Sequence, residues 1–241
     1  MLLKFIVRCL LFVFPIWLMG CTSKEPAPVQ PLTYKVTLAG NSLLSGYLGF
    51  IMDEKIMTDV RAQAQTAGLG SGDLQNVAVA NQTTQQILDK MERINAAYDD
   101  SKDVNVLVLW EGTNHIYYGA KAAQAEDALL QVCRQALAVH PKWKIVVGTL
   151  LPRSEEDTPA NQETDRQATN AYLRNLQAQG STAFHGLADV AADQRVGRAG
   201  DEQNTAYYHD RVHLNDAGQR VVAPIFSQAI VQAIQQVKSG K

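Results

Sequence analysis

Short apolar runs separated by longer segments of helical period constrain this chain more than any other feature. Residues 34–39 (YKVTLA) alternate in polarity and end at Gly40, as a strand entering a tight turn would. Residues 76–80 (NVAVA), 104–110 (VNVLVLW) and 144–151 (KIVVGTLL) are apolar and rich in β-branched side chains. Runs of that kind belong to strands buried on both faces of a parallel sheet. Between and after them, helical spacing predicts helices over residues 53–67, 83–98, 120–139, 161–179 and 215–238. A fifth strand is expected near residues 181–186. Parallel strands need crossover connections, so the alternation predicts an α/β fold. The expected form is a three-layer αβα sandwich around a mostly parallel, flavodoxin-like five-stranded sheet. Residues 152–159 and 191–206 are polar and aperiodic, as surface loops bordering a site would be. Ligands of open α/β sheets sit beyond the carboxyl ends of the strands, so the residues that follow each strand are the ones to inspect.

The N-terminal region has a different character. Residues 1–20 carry Lys4 and Arg8 but no acid, and residues 10–19 (LLFVFPIWLM) are wholly apolar. The run is short for a bilayer span and contains Pro15, so it reads as a secretory signal peptide over residues 1–20. It ends Leu18-Met19-Gly20-Cys21, which resembles a bacterial lipobox and implies lipid attachment at Cys21; Met19 is an unusual occupant of its place. Residues 21–33, with Pro26, Pro28 and Pro31, suit an extended tether, leaving residues 34–241 as the folded domain. The expected location is the bacterial cell envelope, with the protein exported and held to a membrane through its N-terminal lipid.

Composition narrows the partners. A formal charge of −2 leaves no basic footprint, which argues against a nucleic-acid partner, and removing Lys4 and Arg8 with the leader makes the remainder more acidic still. A hydrophobic fraction of 46% excludes global disorder. Three cysteines, Cys9, Cys21 and Cys133, cannot build a disulfide framework. Cys133 falls within the apolar spacing of a predicted helix and reads as core.

Four short motifs carry the chemistry. The first strand is followed by Gly40-Asn41-Ser42-Leu43, the second by Asn81-Gln82-Thr83-Thr84, and the third by Glu111-Gly112-Thr113-Asn114. Asp210-Arg211-Val212-His213 stands just before the last helix. In this order the set resembles the SGNH or GDSL hydrolase family, across most of the chain after the leader. The resemblance implies a serine esterase or acyl hydrolase acting through an acyl-enzyme, without metal or other cofactor, on a small-molecule or glycan ester. An O-acetyl group on an envelope or extracellular glycan is the favoured substrate, and a monomer is expected.

The residue types fit that chemistry. A serine hydroxyl is a weak nucleophile at neutral pH and needs a base, itself oriented by a third group. Ser42 would be the nucleophile, His213 the base, and Asp210, three residues earlier, the group that orients the imidazole. Donors for the developing oxyanion would be the N–H of Ser42, the N–H of Asn81 and the side-chain amide of Asn114. Each residue has a plainer alternative: Ser42 as a helix cap, Asp210 and His213 as a solvated pair ahead of a helix, and Asn114 as a turn residue.

The sequence departs from the family pattern at several places. Asn81 and Ala78 stand where glycines are expected, Asn41 replaces the aspartate of GDSL, and His115 replaces an aspartate after the third-block asparagine. Asparagine still offers a main-chain N–H and tolerates positive φ, so Asn81 is expected to keep the donor role. His115 reads as a histidine without a catalytic part. Three other readings stand beside the esterase: a tethered binding protein of the same fold with impaired catalysis, a lipase or thioesterase acting on lipid acyl groups, and a metal site built from His115, His209, Asp210 and His213. Trp110, Tyr117 and Tyr118 flank the third block and could wall a sugar or acyl site.

Overall fold

The computed structural model describes residues 30–240. The expected leader, the lipid-bearing Cys21 and most of the expected tether lie outside the described residues. Five strands form one sheet in the order β2-β1-β3-β4-β5. They are β1 (Tyr34–Gly40), β2 (Gly72–Asn76), β3 (Val104–Trp110), β4 (Trp143–Gly148) and β5 (Gly186–Ala188), and every pairing is parallel. The expected flavodoxin-like order is the one found.

Central strand β3 is buried at all seven positions. Its even-numbered side chains, Val106, Val108 and Trp110, join Val36 and Leu38 of β1 on one face. There they pack against α2 (Asp53–Thr66) and α8 (Asp216–Lys238). Leu107 and Leu109 join Ala39, Ile145 and Val147 on the other face, under α6 (Ala122–Val139) and α7 (Gln162–Ala178). Each such aliphatic side chain removed from water contributes about 1.5–3 kcal/mol, so the two-sided burial of β1, β3 and β4 holds the sheet together. Cys133 lies in the second of these clusters, and burial pushes its thiol up to about 12, as a core residue requires.

The sequence-based expectations need four corrections. The second strand is residues 72–76 (GDLQN), earlier than the apolar run at 76–80. That run continues beside β1, with Val77 and Val79 donating N–H groups to Leu38 and Gly40 oxygens at 2.8 and 3.0 Å, without forming a regular ladder. The helix expected over 83–98 is two short ones, α3 (Thr84–Leu88) and α4 (Glu92–Asn95). Ile87, Met91 and Ile94 are buried across the break, so one apolar stripe runs through both pieces and the periodicity conceals the interruption. The fourth strand runs from 143 to 148 rather than from 144 to 151. The fifth begins only at Gly186, the last residue of the stretch in which it was expected.

Two very short helices follow strands directly, α1 (Ser42–Ser45) after β1 and α5 (Thr113–Tyr117) after β3. Gly40 pairs with Trp110 at the carboxyl end of those strands. A Cβ on Gly40 would sit 2.2 Å from the Trp110 carbonyl oxygen, so only glycine lets β1 and β3 run together up to this edge.

Candidate active site

The turn after β1 divides two tasks between neighbouring residues. Asn41 is the N-cap of α1, and its Oδ1 accepts the N–H of Leu43 at 2.9 Å. The cap position belongs to Asn41, so the Ser42 hydroxyl is free for another partner. That partner is His213, whose Nε2 lies 2.8 Å from Ser42 Oγ.

His213 comes from a tight loop that the sequence alone does not describe. Tyr208 and Leu214 form an antiparallel bridge, and the His209 N–H donates to the His213 oxygen at 2.8 Å. Asn215 then caps α8, its Oδ1 accepting the Gly218 N–H at 3.0 Å. Within this loop Asp210 faces the imidazole, with Oδ2 2.9 Å from His213 Nδ1, while Oδ1 accepts the N–H groups of His213 and Val212 at 2.6 and 2.8 Å. Burial opposes its charge, but these N–H groups and the imidazole outweigh burial and hold the Asp210 carboxyl below its ordinary value. Tyr47 lies flat on the other side of His213, with ring centroids 3.8 Å apart and planes 9° from parallel. An imidazole fixed at both nitrogens and stacked on one face is set to exchange a proton with Ser42 Oγ.

The middle blocks meet through one bond. Asn114, in α5 and buried, donates from Nδ2 to the Gln82 carbonyl oxygen at 3.0 Å, and Gln82 follows Asn81. Asn81 has φ of +61°, the left-handed conformation that asparagine tolerates better than most residues. Its side chain is exposed, and its Oδ1 accepts the Tyr118 hydroxyl at 2.6 Å. Neither the Ser42 N–H nor the Asn81 N–H bonds to another group among the described residues.

Three contributors were not singled out from the sequence. Tyr47 is one. Arg153, just beyond β4, is the second: it is 7% exposed, donates from Nη1 to Asn114 Oδ1 at 2.9 Å, pairs with Glu155, and lies 3.5 Å over the Tyr117 ring. Its signal was positional, since it follows the carboxyl end of a strand. Glu111 is the third. It is fully buried, with Oε1 accepting the Gly112 N–H at 2.9 Å and Oε2 without a partner. Burial pushes its carboxyl up to about 8, against the lowering influence of the Gly112 N–H, the Asn41 side chain, the Asn114 N–H and Arg153.

His115 is half-buried, Nδ1 has no partner, and burial lowers its pKa. His209 turns to the Phe50 ring, 5.2 Å between centroids, while His213 turns to Ser42. The ligands of the metal reading therefore do not converge, and no group of three or more His, Cys, Asp or Glu among the described residues could hold a metal ion.

A parallel αβα sheet with a serine, histidine and aspartate in hydrogen-bonded sequence at its carboxyl edge defines the class: an esterase or acylhydrolase. More particularly, the chain belongs to the GDSL-like lipase/acylhydrolase family, whose model matches residues 38–221. No curated protein sequence matches it significantly. Among solved structures, the Clostridium thermocellum family 3 carbohydrate esterase is similar with a TM-score of 0.60 at 17% identity, over 85% of this chain and 98% of that one. A member of the lipolytic G-D-S-L family from Veillonella parvula gives 0.60 at 15% identity, over 83% and 99%. An acetyl xylan esterase gives 0.58 at 19% identity, over 81% and 99%. At these identities the likeness is one of fold.

Proposed function

We propose that the protein is a serine esterase that removes a small acyl group, in the first instance acetyl, from a glycan. The observation that carries this is the chain Ser42 Oγ to His213 Nε2, and His213 Nδ1 to Asp210, at 2.8 and 2.9 Å. Ser42 Oγ attacks the ester carbonyl while His213 takes its proton. The carbonyl oxygen becomes an oxyanion that accepts from the N–H groups of Ser42 and Asn81 and from the Asn114 amide. Collapse expels the glycan alkoxide, which leaves with the proton from His213, and the acyl group stays on Ser42. Water, deprotonated by His213, then releases acetate and restores the hydroxyl.

A narrow hollow bounded by Leu43, Tyr47, Phe50, His213 and Leu214 adjoins Ser42, which favours a short acyl group. The exposed Tyr118 ring, tied to Asn81, offers a face on which a sugar can stack. Two of the structurally similar proteins are a carbohydrate esterase and an acetyl xylan esterase, which makes acetylated polysaccharides the first substrates to try. A lipid ester is the second reading, favoured by Leu48 and Ile51, which are 69% and 52% exposed on the loop that carries Tyr47.

Hydrolysis of p-nitrophenyl esters from two to twelve carbons, compared with acetate release from acetylated xylan and peptidoglycan, separates the readings. Activity falling steeply beyond acetyl or propionyl supports the glycan deacetylase, and activity rising with chain length supports the lipid ester. Wild type and Ser42→Ala equally inert on every ester would refute the enzyme and leave a binding protein. Attachment to the envelope through Cys21 belongs to the same proposal, supported by Leu18-Met19-Gly20-Cys21. Palmitate labelling that persists in Cys21→Ala would refute it.

A further inference from the structure

We propose that Arg153 is a positioning residue for the oxyanion site, setting which end of the Asn114 carboxamide faces the substrate; this rests on the esterase reading above. An asparagine amide has an oxygen and a nitrogen of nearly the same size, and only the nitrogen can donate to an oxyanion. Turned by half a revolution, Asn114 would present its oxygen to the developing negative charge and oppose the reaction. Packing alone does not distinguish the two orientations.

The neighbours do. Arg153 has N–H donors and no acceptor, so the atom 2.9 Å from its Nη1 must be the Asn114 oxygen. The Gln82 carbonyl is an acceptor only, so the atom 3.0 Å from it must be the Asn114 nitrogen. In the turned orientation both contacts become repulsive, donor against donor and acceptor against acceptor. Arg153 and Gln82 thus specify the same end from opposite sides, and the second N–H of Nδ2 remains for the substrate.

The guanidinium is itself fixed. It is buried, lies over the Tyr117 ring at 3.5 Å and is paired with Glu155, and Tyr117 is on the same short helix as Asn114. A cation bonded to the amide oxygen also draws electron density from the nitrogen and strengthens the donor on that side. Among the described residues Arg153 bonds to Asn114 and Glu155 and not to the nucleophile. Its effect passes through Asn114.

The test is a double-mutant cycle on turnover of p-nitrophenyl acetate, using Arg153→Met, Arg153→Lys, Asn114→Ala and the double variant Arg153→Met/Asn114→Ala. Removing an oxyanion donor costs about a hundredfold to a thousandfold in kcat. Loss of its orientation should therefore cost about tenfold to a hundredfold, with KM changed by less than about threefold. Arg153→Lys, which keeps a donor, should recover most of the loss. In the Asn114→Ala background Arg153→Met should cost nothing further. Losses that multiply in the double variant, a change confined to KM, or full activity in Arg153→Met would each overturn the inference while leaving the esterase standing. A wild type without Ser42-dependent turnover would instead be the failure of the esterase reading. Side-chain amide spectra of Asn114 test the orientation without turnover: a single NH2 pair in wild type should broaden or divide in Arg153→Met, and an unchanged pair refutes the inference.

Discussion

Glu111 gives a prediction that can be worked through in numbers. Folded, its carboxyl gives up its proton near pH 8, whereas its ordinary value is 4.5, because burial opposes the charged form. The native state therefore holds a proton that the unfolded chain has already released between those values. Stability from this group is complete below pH 4.5 and is lost as pH rises toward 8. At about 1.4 kcal/mol per pKa unit, the loss between pH 5 and pH 8 is about 3–4 kcal/mol, a large share of the stability of an ordinary domain. Glu111→Gln keeps the shape of the neutral acid and cannot ionise. It carries its own cost of about 1–3 kcal/mol, because Oε2 has no partner and an amide nitrogen there would be unpaired, but that cost does not vary with pH. The informative quantity is the difference in unfolding free energy between the two proteins, measured by urea denaturation at unit intervals from pH 5 to pH 8. It should shift by about 3–4 kcal/mol in favour of the glutamine variant across that range. A difference constant to within about 1 kcal/mol would mean that Glu111 does not carry a proton in the folded state, and the reasoning would fail.

Other outcomes follow from the same geometry. Asp210→Asn, which cannot hold His213 in the tautomer that accepts the serine proton, should lower kcat about a thousandfold to ten-thousandfold with little change in thermal stability; an effect under tenfold would remove Asp210 from the orienting role. Asn81→Gly keeps the main-chain donor and suits φ of +61°, so turnover should stay within about threefold. Asn81→Ala should destabilise by about 1–2 kcal/mol because alanine is strained there, and equal melting temperatures for the two variants would contradict this. Gly40→Ala, whose Cβ would lie 2.2 Å from the Trp110 oxygen, should cost about 3 kcal/mol or more or prevent folding, and a melting temperature within a few degrees of wild type would refute the close approach. Tyr47→Ala strips one face of His213 and should reduce kcat several-fold with thermal stability nearly unchanged, as checked by paired kinetics and melting curves.

What the sequence discloses depends on whether the cause is local. β3 was legible to the residue, because a strand buried on both faces is apolar along nearly all its length, the exception being Asn105, whose side chain is bonded to the Asp99 backbone. β2 was not: it lies at the sheet edge, is only half-buried, and spells GDLQN, while the apolar run that imitates a strand is the passage after it. The positions of Ser42, Asp210, His213 and Asn114 were legible because each follows a strand or precedes a helix in a short motif. Arg153, Tyr47 and Glu111 were not, since their significance comes from partners distant in sequence or from burial. Arg153 and Asn114 are 39 residues apart. Ser42 and His213 are 171 apart and were joined beforehand only by the family pattern. The plain alternative for Ser42, a helix cap, fails for a local reason after all: the residue before it does the capping.

That last detail reaches beyond assignment. Since Asn41 Oδ1 secures the turn and the Ser42 hydroxyl bonds, among the described residues, only to His213, position 42 is a socket whose occupant can be changed without disturbing its walls. Ser42→Ala, which removes the nucleophile, should leave a ligand-competent shell. Such a shell would let an intact ester be captured from a mixture of acylated molecules and identified directly, turning the question of substrate from one of guessing into one of fishing.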